Sequence, residues 1–168
     1  MSLYSRFLRT VGHRRWFAAV ASRLAPVLDR WMYRLSGRRR VASPNSIPTL
    51  FLTTIGRHTG TSLTVPISFV VNGDSLIVVG SNWGKKSHPQ WASNLLVNPR
   101  ADVEHGGKAW SVTALLVEQP VRAKYWERLD AMWPAYAAYR KRAQRQVRMF
   151  RLTPLVGERT DSGSSVGA

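Results

Sequence analysis

The sequence predicts a mainly β protein, a small six-stranded antiparallel barrel with flanking helices. Three observations carry this. Six short apolar, β-branched segments recur along the chain, separated by turn residues. Asn72-Gly73 and Gly106-Gly107 each join two such segments, as tight hairpin turns do. No GxGxxG follows a predicted strand, so a Rossmann dinucleotide site is not indicated.

The elements follow in order. Thr49–Ile55 is apolar and β-branched and reads as the first strand. Gly56-Arg57-His58-Thr59-Gly60 is a turn. Leu63–Val71 is the second strand, with Pro66 marking an edge or a bulge. Ser75–Gly80 returns as the third. Ser81–Pro89 is a polar loop, and Gln90–Val97 a short helix closed by Asn98-Pro99. Ala101–His105 and Lys108–Val117 form another hairpin. Pro120–Arg145 is a long helical stretch with Pro134 near its middle, and Val147–Leu152 is the last strand. Thr160–Ala168 is small and polar and reads as a disordered tail. The expected division is a basic amino-terminal helix over 1–40, a barrel domain over 41–155 and a tail over 156–168.

The chain has 168 residues, 44% of them hydrophobic, which suits one domain with a real core and excludes a wholly disordered or collagenous chain. Cysteine is absent, which excludes disulfides, thiolate metal sites and a cysteine nucleophile. His13, His58, His88 and His105 show no ligand spacing, so no metal site is expected.

The net charge is +16, and it is uneven. Residues 1–40 hold ten arginines against Asp29 alone, a net of +9. Such a surface favours anionic partners: phosphates, carboxylate tails, nucleic acid or anionic lipid. The longest uncharged stretch in this segment, Trp16–Ser22, is far short of the roughly 20 residues that span a bilayer. Arg14-Arg15 with Phe17 faintly resembles a twin-arginine signal, but Arg23 and Asp29 interrupt the apolar run that a signal needs. Phe17, Val20, Leu24, Val27, Leu28, Trp31 and Leu35 fall at helical spacing, with most arginines elsewhere on the wheel. This helix either packs on the body of the protein or lies on the inner face of the plasma membrane. Nucleic-acid binding is the weaker alternative, because no aromatic RNA-binding signature is present.

Three segments carry candidate chemistry. In Thr53-Thr54-Ile55-Gly56-Arg57-His58-Thr59-Gly60, two glycines allow a tight turn whose N–H groups can converge on an anion. Arg57 adds a bidentate phosphate contact and Thr59 a hydroxyl; an ordinary hairpin turn is the plain alternative. Ser81-Asn82-Trp83-Gly84-Lys85-Lys86-Ser87-His88-Pro89-Gln90-Trp91-Ala92-Ser93-Asn94 joins hydroxyl, amide, lysine and tryptophan side chains. A flat aromatic ligand with an anionic tail suits it, unless Trp91 is core and the lysines merely solvated. Trp133, Tyr136 and Tyr139 are spaced by three, which places them on one face of a single helix, as a stacking surface or an aromatic core stripe.

Together the three segments resemble the deazaflavin-dependent nitroreductase family of actinobacteria, over about residues 41–155. The matching stretches are LFLTTIGRHTG, SNWGKKSHPQWASNLLVNP and MWPAYAAYRKR. The resemblance implies a split β-barrel of the flavin-reductase or FMN-binding type. It also implies coenzyme F420, an 8-hydroxy-5-deazaflavin with a phosphate and an oligoglutamate tail. By match, Thr54, Gly56, Arg57, His58, Thr59 and Gly60 hold the phosphate and tail, helped by Lys85 and Lys86. Ser81, Asn82, Trp91 and Asn94 flank the ring. Trp133, Tyr136 and Tyr139 line the substrate side.

Three residues depart from the family pattern: His58 and Asn82 stand where lysine is common, and Trp133 where tyrosine is. The implied reaction is hydride transfer from the reduced deazaflavin to a quinone, nitroaromatic or activated enone. Tyr136, Tyr139 or Ser81 would bond the acceptor oxygen. The alternatives are FMN or haem in the same fold, F420 held without turnover, or a non-enzymatic membrane or nucleic-acid adaptor led by residues 1–40. A homodimer is left open.

Overall fold

The computed structural model describes residues 47–155. The expected helix over 1–40 and the tail over 156–168 lie outside them. Six strands and three helices follow in the order β1 (Thr49–Ile55), β2 (Ser62–Asn72), β3 (Ser75–Val79), α1 (Gln90–Val97), β4 (Arg100–His105), β5 (Lys108–Leu116), α2 (Val121–Met132), α3 (Ala135–Ala143) and β6 (Met149–Pro154). The strands close into a barrel in the order β1-β2-β3-β6-β5-β4, all neighbours antiparallel.

Period-two alternation sets the register. Leu50 and Leu52 of β1, Ile67 and Phe69 of β2, Val103 of β4, Val112 of β5 and Phe150 and Leu152 of β6 point inward into one core. The short helix α1 adds Trp91, Ala92 and Leu95 to that core. A second core forms outside the barrel, where Ile77, Val79 and Met149 meet Tyr125 and Leu129 of α2 and Tyr136 and Tyr139 of α3. So β3 is buried on both faces and reads as a continuous apolar run. Pro66 stands opposite Phe51, and β2 pairs with β3 only from Phe69 onward. A proline there removes no ladder bond on the β3 side, so the edge-like signal is met locally although the barrel is closed.

The long helical stretch is two helices. Pro134 has no N–H and disfavours helical geometry in the residue before it. Trp133 is accordingly extended, with φ −142° and ψ 93°, and the chain restarts as α3. This corrects the expectation that Trp133, Tyr136 and Tyr139 share one helix face: Trp133 lies at the junction. Among the described residues no helix is long and apolar enough to cross a membrane.

Candidate functional site

The β1–β2 turn and the β3–α1 loop meet through α1. Gly56 N–H donates to Thr61 O at 2.8 Å and Gly60 N–H to Gly56 O at 2.8 Å, with Gly60 at φ +66°. Asn94 of α1, only 1% exposed, donates to Thr54 Oγ1 at 3.1 Å and accepts from the Arg57 N–H at 3.2 Å. Thr59 Oγ1 accepts from the Thr61 N–H at 3.3 Å and shares a hydrogen bond with Thr61 Oγ1 at 2.8 Å. These bonds occupy the N–H groups of Gly56, Arg57, Gly60 and Thr61. The turn is therefore closed by its own hydrogen bonds rather than an open nest, and the Arg57 and His58 side chains are exposed at its tip. Thr54 and Asn94 are buried anchors beneath it, not surface groups.

The loop after β3 is held from α3 and the residues that follow it. It contains a 3-10 turn, Asn82–Gly84, in which Asn82, Trp83 and Gly84 have φ of 49°, 55° and 76°. The Asn82 amide nitrogen donates to Ser87 O at 3.0 Å. A Cβ on Gly84 would stand 2.7 Å from Arg142 Nε and 3.1 Å from the Tyr139 backbone, so only glycine lets loop and helix approach this closely. Arg142 Nη2 donates to Trp83 O at 2.6 Å, and Trp83 packs edge-on against Tyr139 with centroids 6.1 Å apart. Arg148 Nη1 donates to Ser93 Oγ at 2.9 Å. Arg145 donates to Gly80 O, Ser81 O, Lys85 O and Ser87 O at 3.0–3.3 Å.

Arg145 Nη1 lies 3.0 Å from His88 Nδ1. A guanidinium only donates, so Nδ1 accepts. Burial, then the charges of Arg145 and Arg148, push the His88 pKa down, which keeps its ring neutral at neutral pH. Among the described residues no carboxylate pairs with Arg142, Arg145 or Arg148, and Lys85 and Lys86 are exposed beside them. Sequence reasoning missed Trp83, His88 and these three arginines. The available signal was the run from Arg140 to Arg148, with five cations and no acid in nine residues.

Tyr136 and Tyr139 are 7% and 2% exposed and touch edge-to-face at 6.1 Å. Burial raises both hydroxyl pKa values, although a hydrogen bond with Ser68 opposes the shift at Tyr136, and Trp133 and Arg142 oppose it at Tyr139. Both hydroxyls therefore stay protonated, able to donate a hydrogen bond but not to act as bases. Ser81 is half-buried at the start of the loop. Trp91 departs from the ring wall expected of it: it is 7% exposed and tilted against Phe150 at 5.9 Å, in the barrel core.

The sequence matches the F420H(2)-dependent quinone reductase family over residues 27–154. The chain belongs to this family. A curated F420H(2)-dependent quinone reductase of Mycobacterium tuberculosis is 30% identical over 121 residues, spanning 70% of this chain and 81% of that protein. A solved F420-H2 dependent reductase (FDR-A) is 29% identical, with a TM-score of 0.57, covering 62% of this chain and 93% of its own. A solved domain-swapped dimer is 25% identical, with a TM-score of 0.60, covering 76% and 97%. The quinone reductase is therefore an oxidoreductase with coenzyme F420 as its cofactor, and the family name selects the quinone among the acceptors the sequence left open. The family match begins at residue 27, inside the expected amino-terminal helix. The donor set fits the cofactor: cations with no carboxylate partner among the described residues lie about the loop, and an anionic phosphate and tail would complement them.

Proposed function

We propose that this quinone reductase binds reduced coenzyme F420 between the Gly56–Gly60 turn and the Ser81–His88 loop and reduces a quinone beside Tyr136 and Tyr139. The observation that carries the reading is the cationic character of the loop end, whose arginines have no carboxylate partner among the described residues. Arg57, His58, Lys85 and Lys86 hold the phosphate and carboxylates, Arg57 through its bidentate fork. Asn94 and Thr54 keep the turn in place from below. The cofactor supplies a hydride from C5 of its deazaflavin ring when bound. A quinone that takes up one hydride and one proton becomes a hydroquinone. Ser81, Tyr136 and Tyr139 carry hydroxyls on the acceptor side, where a protonated group stabilises charge developing on the quinone oxygen. Trp133 bounds that side, and nitroaromatics and activated enones are the further acceptors to screen. Asn82 acts through the loop it braces, and Trp91 through the core under α1.

The arginine-rich, aromatic sequence of residues 1–40 supports peripheral docking on an anionic inner-leaflet surface, next to a membrane-borne quinone. The unit over 41–155 carries the catalytic site. The domain-swapped dimer among its structural relatives supports a homodimer. The deciding experiment is titration with coenzyme F420 followed by tryptophan quenching, with FMN in parallel. Preference for F420 over FMN, lost in Arg57→Ala, is expected. Absence of F420 binding overturns the reading and leaves FMN, haem or the basic segment as the functional part.

A further inference from the structure

We propose that Arg145 is a positioning residue that holds the loop from Gly80 to His88 in the shape that receives the cofactor. The inference rests on the reading of the site given above. Gln144 ends α3 in the left-handed region, with φ 49° and ψ 34°, and Arg145 follows directly. Its Nε donates to Lys85 O at 3.2 Å. Its Nη2 is shared among Gly80 O at 3.2 Å, Ser81 O at 3.3 Å and Ser87 O at 3.0 Å. Its Nη1 donates to His88 Nδ1 at 3.0 Å. One planar fork thus ties both ends of the loop and its middle to the chain after α3.

The loop needs such a tie. Asn82 and Trp83 both have positive φ, which non-glycine residues rarely adopt without support. Among the described residues Asn82 braces the turn to Ser87, within the loop itself, Arg142 holds Trp83 O, and the Gly80 N–H donates to Arg148 O at 2.8 Å, but none of these bonds reaches Lys85 or His88. Arg145 belongs to neither apolar core, so its loss changes the loop rather than the barrel. The backbone it holds carries Lys85 and Lys86, which hold the cofactor's anionic groups in that reading, along with Asn82, which braces the loop, and Ser81, whose hydroxyl faces the acceptor. A lysine cannot replace it: three donors at one point do not span acceptors from Gly80 to His88.

The test compares wild type, Arg145→Ala and Arg145→Lys by steady-state kinetics with reduced F420 and menadione. Both variants are expected to raise the cofactor KM about tenfold or more, with kcat within about twofold. A lost folded fraction would instead lower kcat and leave KM unchanged. A second readout needs no cofactor: tryptic cleavage after Lys85 or Lys86, followed by mass spectrometry, is expected to quicken about tenfold in both variants. Wild-type KM and wild-type cleavage in Arg145→Lys overturn the proposal, because charge alone would then suffice. If wild type does not bind F420, the reading of the site fails, while the cleavage rates still decide whether Arg145 holds the loop.

Discussion

The barrel interior and the loop end are held by different forces. The interior packs Leu50, Leu52, Phe69, Val103, Val112, Phe150 and Leu152 against Trp91 and Leu95, with no charged group among them. The loop end rests on Arg142, Arg145 and Arg148, which donate to backbone carbonyls, a serine hydroxyl and a histidine ring. Hydrophobic burial is non-directional and scales with area, so it makes a stable scaffold that tolerates reshaped side chains. Guanidinium bonds are directional and place a loop accurately. Among the described residues they also leave the positive charge of these arginines without a carboxylate partner, which suits an anionic cofactor. Asn94 is the seam between the regions, because it joins the core helix α1 to the Arg57 turn.

The sharpest break of this contrast is Phe150→Ala. It opens a cavity in the interior and should cost about 3–5 kcal/mol, read from urea unfolding. The surviving folded fraction should bind cofactor with unchanged affinity. An affinity change as large as in the loop variants would show that the regions are not separable.

Asn94→Ala strikes the seam. Stability should fall by about 1–3 kcal/mol, since Thr54 Oγ1 and the Arg57 N–H lose their partner. Cofactor affinity should weaken with it, measured in the same tryptophan titration. Gly84→Ala strikes the loop where it packs on α3. A left-handed alanine costs about 1–2 kcal/mol, and its Cβ meets Arg142 and the Tyr139 backbone. The cofactor KM should rise more than the melting temperature falls.

Tyr136→Phe removes one buried hydroxyl beside Ser68 and should cost about 0.5–1.5 kcal/mol. A fall in kcat would place that hydroxyl on the acceptor. Because burial raises its pKa, the rate profile of wild type should show no tyrosine limb below about pH 10.

The smallest effect concerns His88. Its folded pKa lies below the ordinary 6.5, so the unfolded chain takes up the proton first as pH falls. Stability is then lost as pH drops from the ordinary value through the folded one. Thermal melts at about pH 7.5 and about pH 5 should show a larger drop in wild type than in His88→Asn, whose side chain does not titrate.

Much of the scaffold was legible. Thr49–Ile55 and Gln90–Val97 have the bounds the sequence predicts, because an apolar, β-branched run and the Asn98-Pro99 stop are local signals. Pro134 marked the middle of the helical stretch, but the break moved Trp133 off the shared face. The site was less legible. The family resemblance assigned Arg57, Ser81, Asn94 and the tyrosines to one expected site, yet it was silent on depth. Trp91 and Asn94 stand three apart on one short helix. One is core and the other a polar clamp, a difference set by what faces each of them across the barrel.

By itself the sequence determined the apolar, β-branched runs that make six strands, the turns that join them, the excess of cations and the motifs that mark the family. Those are properties of neighbouring residues, set by backbone sterics, side-chain period and composition. Only the tertiary structure decided which N–H groups of the Gly56–Gly60 turn remain available and which tryptophan is core. It also made Arg145, 57–65 residues away in sequence, the support of the loop from Gly80 to His88. The reason is that hydrogen bonds between distant segments depend on how the closed barrel and α3 bring them together, which no local pattern encodes.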